Sequence, residues 1–201
     1  MGEATSWLQH VETWKDCVRC PLHSQRSRIV LARGSVPCDV LLVGEAPGIS
    51  EDTLGIPFVG PAGKLLDGIV ELALAQYERT YGIALTTAFA NLVACYPREA
   101  KEGGWNEPAD EEVLACRPRL NEFVRLCRPK LVVTVGKLAE RLLDQTILTG
   151  GFDSALGRHD RIEVETIAHP VSILRMPVAQ RDMATRQCIV TIANAVEELV
   201  V

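Results

Sequence analysis

The chain has 201 residues, 47% of them hydrophobic and 23% charged, which suits one full-sized domain and excludes disordered, fibrous and two-domain organisations. Its longest apolar runs, such as Val40–Val43 and Leu131–Val135, are far shorter than a bilayer span. The N-terminus shows no cationic segment followed by an apolar stretch, so a cytoplasmic protein is expected. The net charge of −5 weighs against a nucleic-acid partner, although basic residues gather in two stretches: Lys15, Arg19, Arg26, Arg28 and Arg33, then Arg117, Arg119, Arg125, Arg128, Lys130 and Lys137. A local basic face is therefore compatible with the bulk charge.

In chain order, Trp7–Lys15 reads as a short helix leading into Cys17. Val40–Val43 is an apolar run ended by Gly44, as in a strand buried on both faces. Gly44 to Gly63 holds five glycines and three prolines and reads as a long loop. Ala62–Tyr77 has the apolar face of a helix, and Thr87–Val93 is a second strand. Pro108 with Asp110, Glu111 and Glu112 opens a helix to about Leu126, because proline and acids both suit a first turn. Leu131–Val135, Lys137–Asp144, Arg161–Ala168 and Ala179–Leu199 follow as strand, helix, strand and helix. The alternation predicts a three-layer α/β/α fold around a mostly parallel four-stranded sheet, with the site beyond the C-terminal strand ends. Three strands end in chemically loaded loops: Gly44-Glu45-Ala46-Pro47-Gly48, Asn91 to Cys95, and His169-Pro170.

Seven cysteines in a chain without an export signal point to metal or redox chemistry rather than disulfides. Cys17-Val-Arg-Cys20 offers two thiolates on one turn, and Cys95 and Cys116 stand where a loop could bring them together. Proline follows closely after Cys20, Cys95 and Cys116, fixing the turn beside each. Cys38, Cys127 and Cys188 lie in apolar or helical contexts and read as core residues. Spacing alone leaves zinc and an iron–sulfur cluster open, since both accept four thiolates.

Five segments occur in order: Cys17-x-x-Cys20; Gly44-Glu45-Ala46-Pro47-Gly48 with Glu51-Asp52; Pro57-Phe58-Val59-Gly60-Pro61-Ala62-Gly63; Asn91-Leu92-Val93-Ala94-Cys95 with Cys116; and His169-Pro170 ending in Leu174-Arg175. In these segments the chain resembles the family 4 uracil-DNA glycosylases, the iron–sulfur branch of their superfamily, over roughly residues 15 to 195. The resemblance implies one glycosylase-like domain over residues 1–201 and a [4Fe–4S] cluster on Cys17, Cys20, Cys95 and Cys116. It implies hydrolysis of the bond between uracil and deoxyribose in single- or double-stranded DNA, by a monomer that flips the base out of the stack.

The resemblance makes Phe58 the plate on which uracil stacks and Asn91 the reader of its edge, with Ala46 and Gly48 in the same base pocket. His169 would donate to the uracil oxygen that gathers charge. Glu45, Glu51 and Asp52 are the candidates for orienting water and stabilising the cationic sugar, with walling off thymine's methyl an alternative for Glu45. Leu174-Arg175 resembles a wedge beside a phosphate-binding arginine, and the backbone at Gly48, Gly60 and Gly63 is a second candidate for phosphate. The chain departs from the family pattern after Asn91, where Ala94-Cys95-Tyr96-Pro97-Arg98 stands in place of a basic residue, Cys and Arg-Pro-Pro. Val171-Ser172 follows Pro170 where an aromatic is common. Covalent capture of DNA through a loop histidine is not expected, because Ala100–Trp105 has none. The rival expectations are a non-catalytic iron–sulfur module that grips DNA or a protein, and a zinc-stabilised structural domain.

Overall fold

A computed structural model describes residues 6–97, 107–149 and 162–200; Arg98, the Ala100–Trp105 loop and the start of the last strand at Arg161 lie outside the described residues. Five strands are β1 (Ala32–Gly34), β2 (Val40–Gly44), β3 (Thr87–Asn91), β4 (Leu131–Val135) and β5 (Glu163–Ile167), in the spatial order β1-β3-β2-β4-β5. All neighbouring pairs are parallel except β1 with β3. The sheet thus has one strand more than the alternation predicts. Ala32-Arg33-Gly34 is only three residues long, too short to carry a period-two pattern, and it is defined by pairing to β3.

The helices are α1 (Trp7–Trp14), α2 (Ile49–Leu54), α3 (Pro61–Tyr81), α4 (Asp110–Cys127), α5 (Lys137–Thr149), α6 (Pro170–Arg175) and α7 (Val178–Glu197). Helix α2 falls inside the stretch expected to be all loop. Glu51 in its first turn accepts from the amide of Gly48, and Gly55 closes it in the left-handed conformation. Helix α3 runs four residues past Tyr77 to the left-handed Gly82. Pro118, which should mark a turn after Cys116, lies within α4.

Strands β2 and β4 are buried at every position, which accounts for their unbroken apolar sequences. Leu41, Val43 and Val132 face a core completed by Leu120, Phe123, Val124 and Cys127 of α4 and by Leu143 of α5. Val40, Leu42 and Val133 face the opposite core, completed by Leu66, Ile69, Val70 and Ala73 of α3 and by Ile192 and Val196 of α7. These are the three layers expected. Cys38, Cys127 and Cys188 are buried, as their contexts suggest; a hydrogen bond between Cys38 and Cys127, together with burial, pushes the Cys127 thiol far up. Among the described residues no helix is long and apolar enough to cross a membrane.

The central pair is β2 with β4, while β3 lies on the other side of β2. The chain order therefore reverses across the sheet between β2 and β4, the kind of switch point beyond whose strand ends such sheets bind ligands. Register aligns Gly44 with Asn91 and Val135 with Ile167.

Candidate active site and cysteine cavity

Gly44 has no side chain for a reason visible in its surroundings. A Cβ there would lie 2.6 Å from the Phe58 ring and 2.6 Å from Oδ1 of Asn91. The plate and the edge-reading amide expected from the sequence therefore meet over this glycine. Phe58 sits at φ 56°, in the left-handed region that an aromatic residue rarely occupies, and strain of this kind costs about 1–3 kcal/mol. Two contacts hold it there: its ring packs on Phe89 at 5.9 Å, and its backbone fills the space a Cβ of Gly63 would need, 2.0 Å from the Phe58 carbonyl oxygen. Arg33 of β1 supports the same loop from outside, stacking on Phe89 and donating to the Pro57 carbonyl. Asn91 is 2% exposed and Phe58 9%.

A cleft of about 720 Å³ opens at the ends of β4 and β5, lined by Glu45, Gly136, Lys137, His169, Ser172 and Arg175 among others. His169 packs against Gly136, and its Nδ1 accepts from the amide of Val171 at 3.2 Å. With Nδ1 occupied as an acceptor, the neutral ring carries its proton on Nε2. Burial, with Arg175 adding to it, holds His169 below its ordinary value of 6.5. Glu45 belongs to both groups, being next to Gly44 in the chain and in the cleft wall with His169. Arg175 is exposed and Leu174 half-buried on α6, while Ala46 packs against the α4-side core.

The other two carboxylates have internal work. Glu51 accepts from the amides of Val59 (2.9 Å), Gly60 (2.8 Å) and Gly48 (3.1 Å). Asp52 accepts from Ser27 at 2.8 and 3.0 Å and from Arg28 at 3.4 Å. Both are buried. Glu51 and Asp52 thus brace the loops at Phe58 and Ser27, and the Gly48 and Gly60 amides face Glu51. Gly63 is required by the close approach of the Phe58 backbone.

Cys17, Cys20, Cys95 and Cys116 line one small cavity with Trp14, Arg26 and Arg119. Burial pushes the Cys95 thiol up to about 11 against the opposing pull of Arg26, whose Nη1 stands 3.2 Å from its sulfur. Cys20 is also raised, by burial first and by Cys116 and Cys17 among its further causes. Among the described residues no group of three or more His, Cys, Asp or Glu is gathered so as to hold a single metal ion.

Sequence reasoning missed the inward roles of two arginines, which it placed on a basic face. Arg26 turns to Cys95 and to the Cys17 carbonyl, and Arg119 is 1% exposed. Arg119 had a readable signal. It stands three residues after Cys116 and four before Phe123, on the buried stripe of α4.

The family model of the uracil DNA glycosylase superfamily matches residues 32–193. A type-4 uracil-DNA glycosylase of Pyrobaculum aerophilum is 34% identical over 188 residues, covering 86% of this chain and 89% of that protein. One of Archaeoglobus fulgidus is 29% identical over 170 residues, covering 80% and 79%. Among solved structures, Pedobacter heparinus SMUG2 shares the fold, with a TM-score of 0.54 over 81% of this chain and 76% of that one at 13% identity. The chain therefore belongs to the uracil-DNA glycosylase superfamily and, within it, to the type-4 branch.

Replacing Glu51 by alanine removes the shared acceptor of three amides, two of them flanking the Phe58 turn. Urea unfolding should show a loss of roughly 2–4 kcal/mol, and an unchanged midpoint would mean that the loop holds itself.

Proposed function

We propose that this protein is a monofunctional uracil-DNA glycosylase, a single-domain cytoplasmic monomer that flips uracil out of single- or double-stranded DNA and hydrolyses its N-glycosidic bond, leaving an abasic site. The reading is carried by the meeting of Phe58 and Asn91 over Gly44, with Glu45 linking that point to the His169 cleft. An aromatic face beside a fixed amide suits a planar pyrimidine, and stacking of this kind is worth about 1–3 kcal/mol.

Asn91 presents one donor and one acceptor, which pair with the acceptor and donor on one edge of uracil and oppose the amino group of cytosine. As the bond to the sugar breaks, negative charge gathers on the base. Neutral His169, its Nδ1 held by Val171, offers Nε2–H to that charge. Positive charge gathers on the sugar, and Glu45 is the carboxylate of the three candidates that lines the cleft. We assign it the stabilisation of that cation and the orientation of the attacking water. To Arg175, exposed and lining the cleft, we assign a phosphate beside the extruded nucleotide, and to Leu174 the wedge.

The residues around the cysteine cavity fit a [4Fe–4S] cluster held by Cys17, Cys20, Cys95 and Cys116. The donors are four soft thiols around one space, with the Arg26 guanidinium against a sulfur that burial would otherwise keep protonated. When bound, the cluster would supply a rigid tie between the segment after α1, the end of β3 and α4. The excision chemistry itself falls to Asn91, His169 and Glu45.

The direct test incubates purified protein with uracil-containing single- and double-stranded oligonucleotides, followed by alkali. Strand scission at the uracil is expected, and its absence at any protein excess would favour a non-catalytic module that grips DNA. Asn91→Ala should lower excision by roughly 100-fold while the visible absorption of the cluster stays intact. Cys116→Ala should bleach that absorption and lower the melting temperature, and full retention of colour would remove Cys116 from the ligand set.

The depressed value of His169 sets the pH dependence. The acid-side fall in excision should have its midpoint below 6.5, as Nδ1 takes a proton and the Val171 hydrogen bond is lost. The unfolded chain binds a proton that folded His169 resists, so its contribution to stability is full above about 6.5 and declines as pH falls below it. An acid midpoint at or above 6.5 in wild type would contradict the assignment.

A further inference from the structure

We propose that Arg119 is a second counter-charge of the thiolate-ligated centre, beside Arg26, and, through the same guanidinium, the clamp that joins that centre to the strand end bearing Asn91. This rests on the cluster reading above. Arg119 lines the cysteine cavity and is 1% exposed. Its Nη1 donates to the carbonyl of Leu31 at 3.2 Å, and its Nη2 to the carbonyls of Asn91 and of Leu92, the latter at 3.1 Å. Its third nitrogen, Nε, is buried without a partner.

A buried guanidinium calls for an anion. Among the described residues no carboxylate lies within ion-pair distance of Arg119. Glu122, one turn on, is committed to His10 and Trp14. Cysteine thiolates are the anions this cavity can supply, and binding a cluster is what would deprotonate them. The unpartnered Nε and the missing counter-charge thus have one answer.

The same guanidinium grips the end of the strand that carries Asn91. The amide of Leu92, next to the carbonyls that Arg119 grips, donates to Gly44 at 2.8 Å, and that of Val93 donates to Glu45 at 3.3 Å. A loaded centre would therefore hold Arg119, Arg119 would hold the peptides of residues 91–93, and these would hold Gly44 and Glu45. Arg119 is accordingly a positioning residue, acting through Asn91 and Glu45 rather than on the substrate.

The test compares wild type with Arg119→Met, which keeps length and removes charge, and Arg119→Lys, which keeps charge and removes the fork. Iron content, the rate of cluster loss to a chelator followed by visible absorption, and hydrogen exchange of the segment around residues 91–93 are measured. Arg119→Met should lose the cluster about tenfold faster and exchange faster at that segment. Arg119→Lys should restore slow cluster loss while exchange stays raised, because one ammonium does not span three carbonyls. Stripping the cluster from wild type should raise the same exchange. Wild type purified anaerobically without iron would overturn the cluster reading and this inference with it. Iron-loaded wild type with unaltered cluster loss in Arg119→Met would overturn the inference alone, leaving the cluster in place, even if the segment loosened.

Discussion

Parallel pairing of β2 with β3 puts Gly44 opposite Asn91, and the empty position at Gly44 is what allows an aromatic ring and a carboxamide to share the space above it. Any side chain at that position would displace one or the other. The geometry propagates outward from there. Phe58 reaches the spot only with a left-handed backbone, and that backbone is tolerated only because Gly63 leaves room behind it. Both glycines work by absence, and neither needs to touch a ligand to matter.

The charged groups near the site divide into those that hold the protein and those that face its cleft. Glu51 gathers three amides and Asp52 fastens the segment at Ser27 and Arg28, so the long glycine- and proline-rich connection behaves as a braced structure around a single turn of helix. Glu45, His169 and Arg175 line the crevice. Burying carboxylates against amides is favourable when their oxygens are satisfied, and it removes those amides from any competition for phosphate.

The cysteine cavity lies on the α4 side of the sheet, while the Phe58 ring belongs to the core on the α3 and α7 side. Asn91, at the end of β3, stands between these two regions through its backbone and its side chain: its carbonyl accepts from Arg119 and its amide oxygen borders Gly44. A strand end is well suited to such a position, because its peptide groups are already held by the sheet.

Much was legible in the sequence. The apolar runs of β2 and β4, the helix period of α3, the Pro/acid start of α4 and the Cys17/Cys20 spacing are local signals, set by side-chain chemistry and short-range periodicity, whereas Phe58, Asn91 and His169 stood out through the family resemblance. Strand β1 was not legible, because three residues acquire strand character only from a partner. The split among Glu45, Glu51 and Asp52 was equally hidden, since three acids within eight positions look alike until the amides they face are known. Arg119 looked like one more surface cation. The sequence by itself determined which chemical groups were available and which strands and helices would carry them. Only the tertiary structure decided which of those groups are committed to one another, because hydrogen bonds and burial depend on neighbours far apart in the chain.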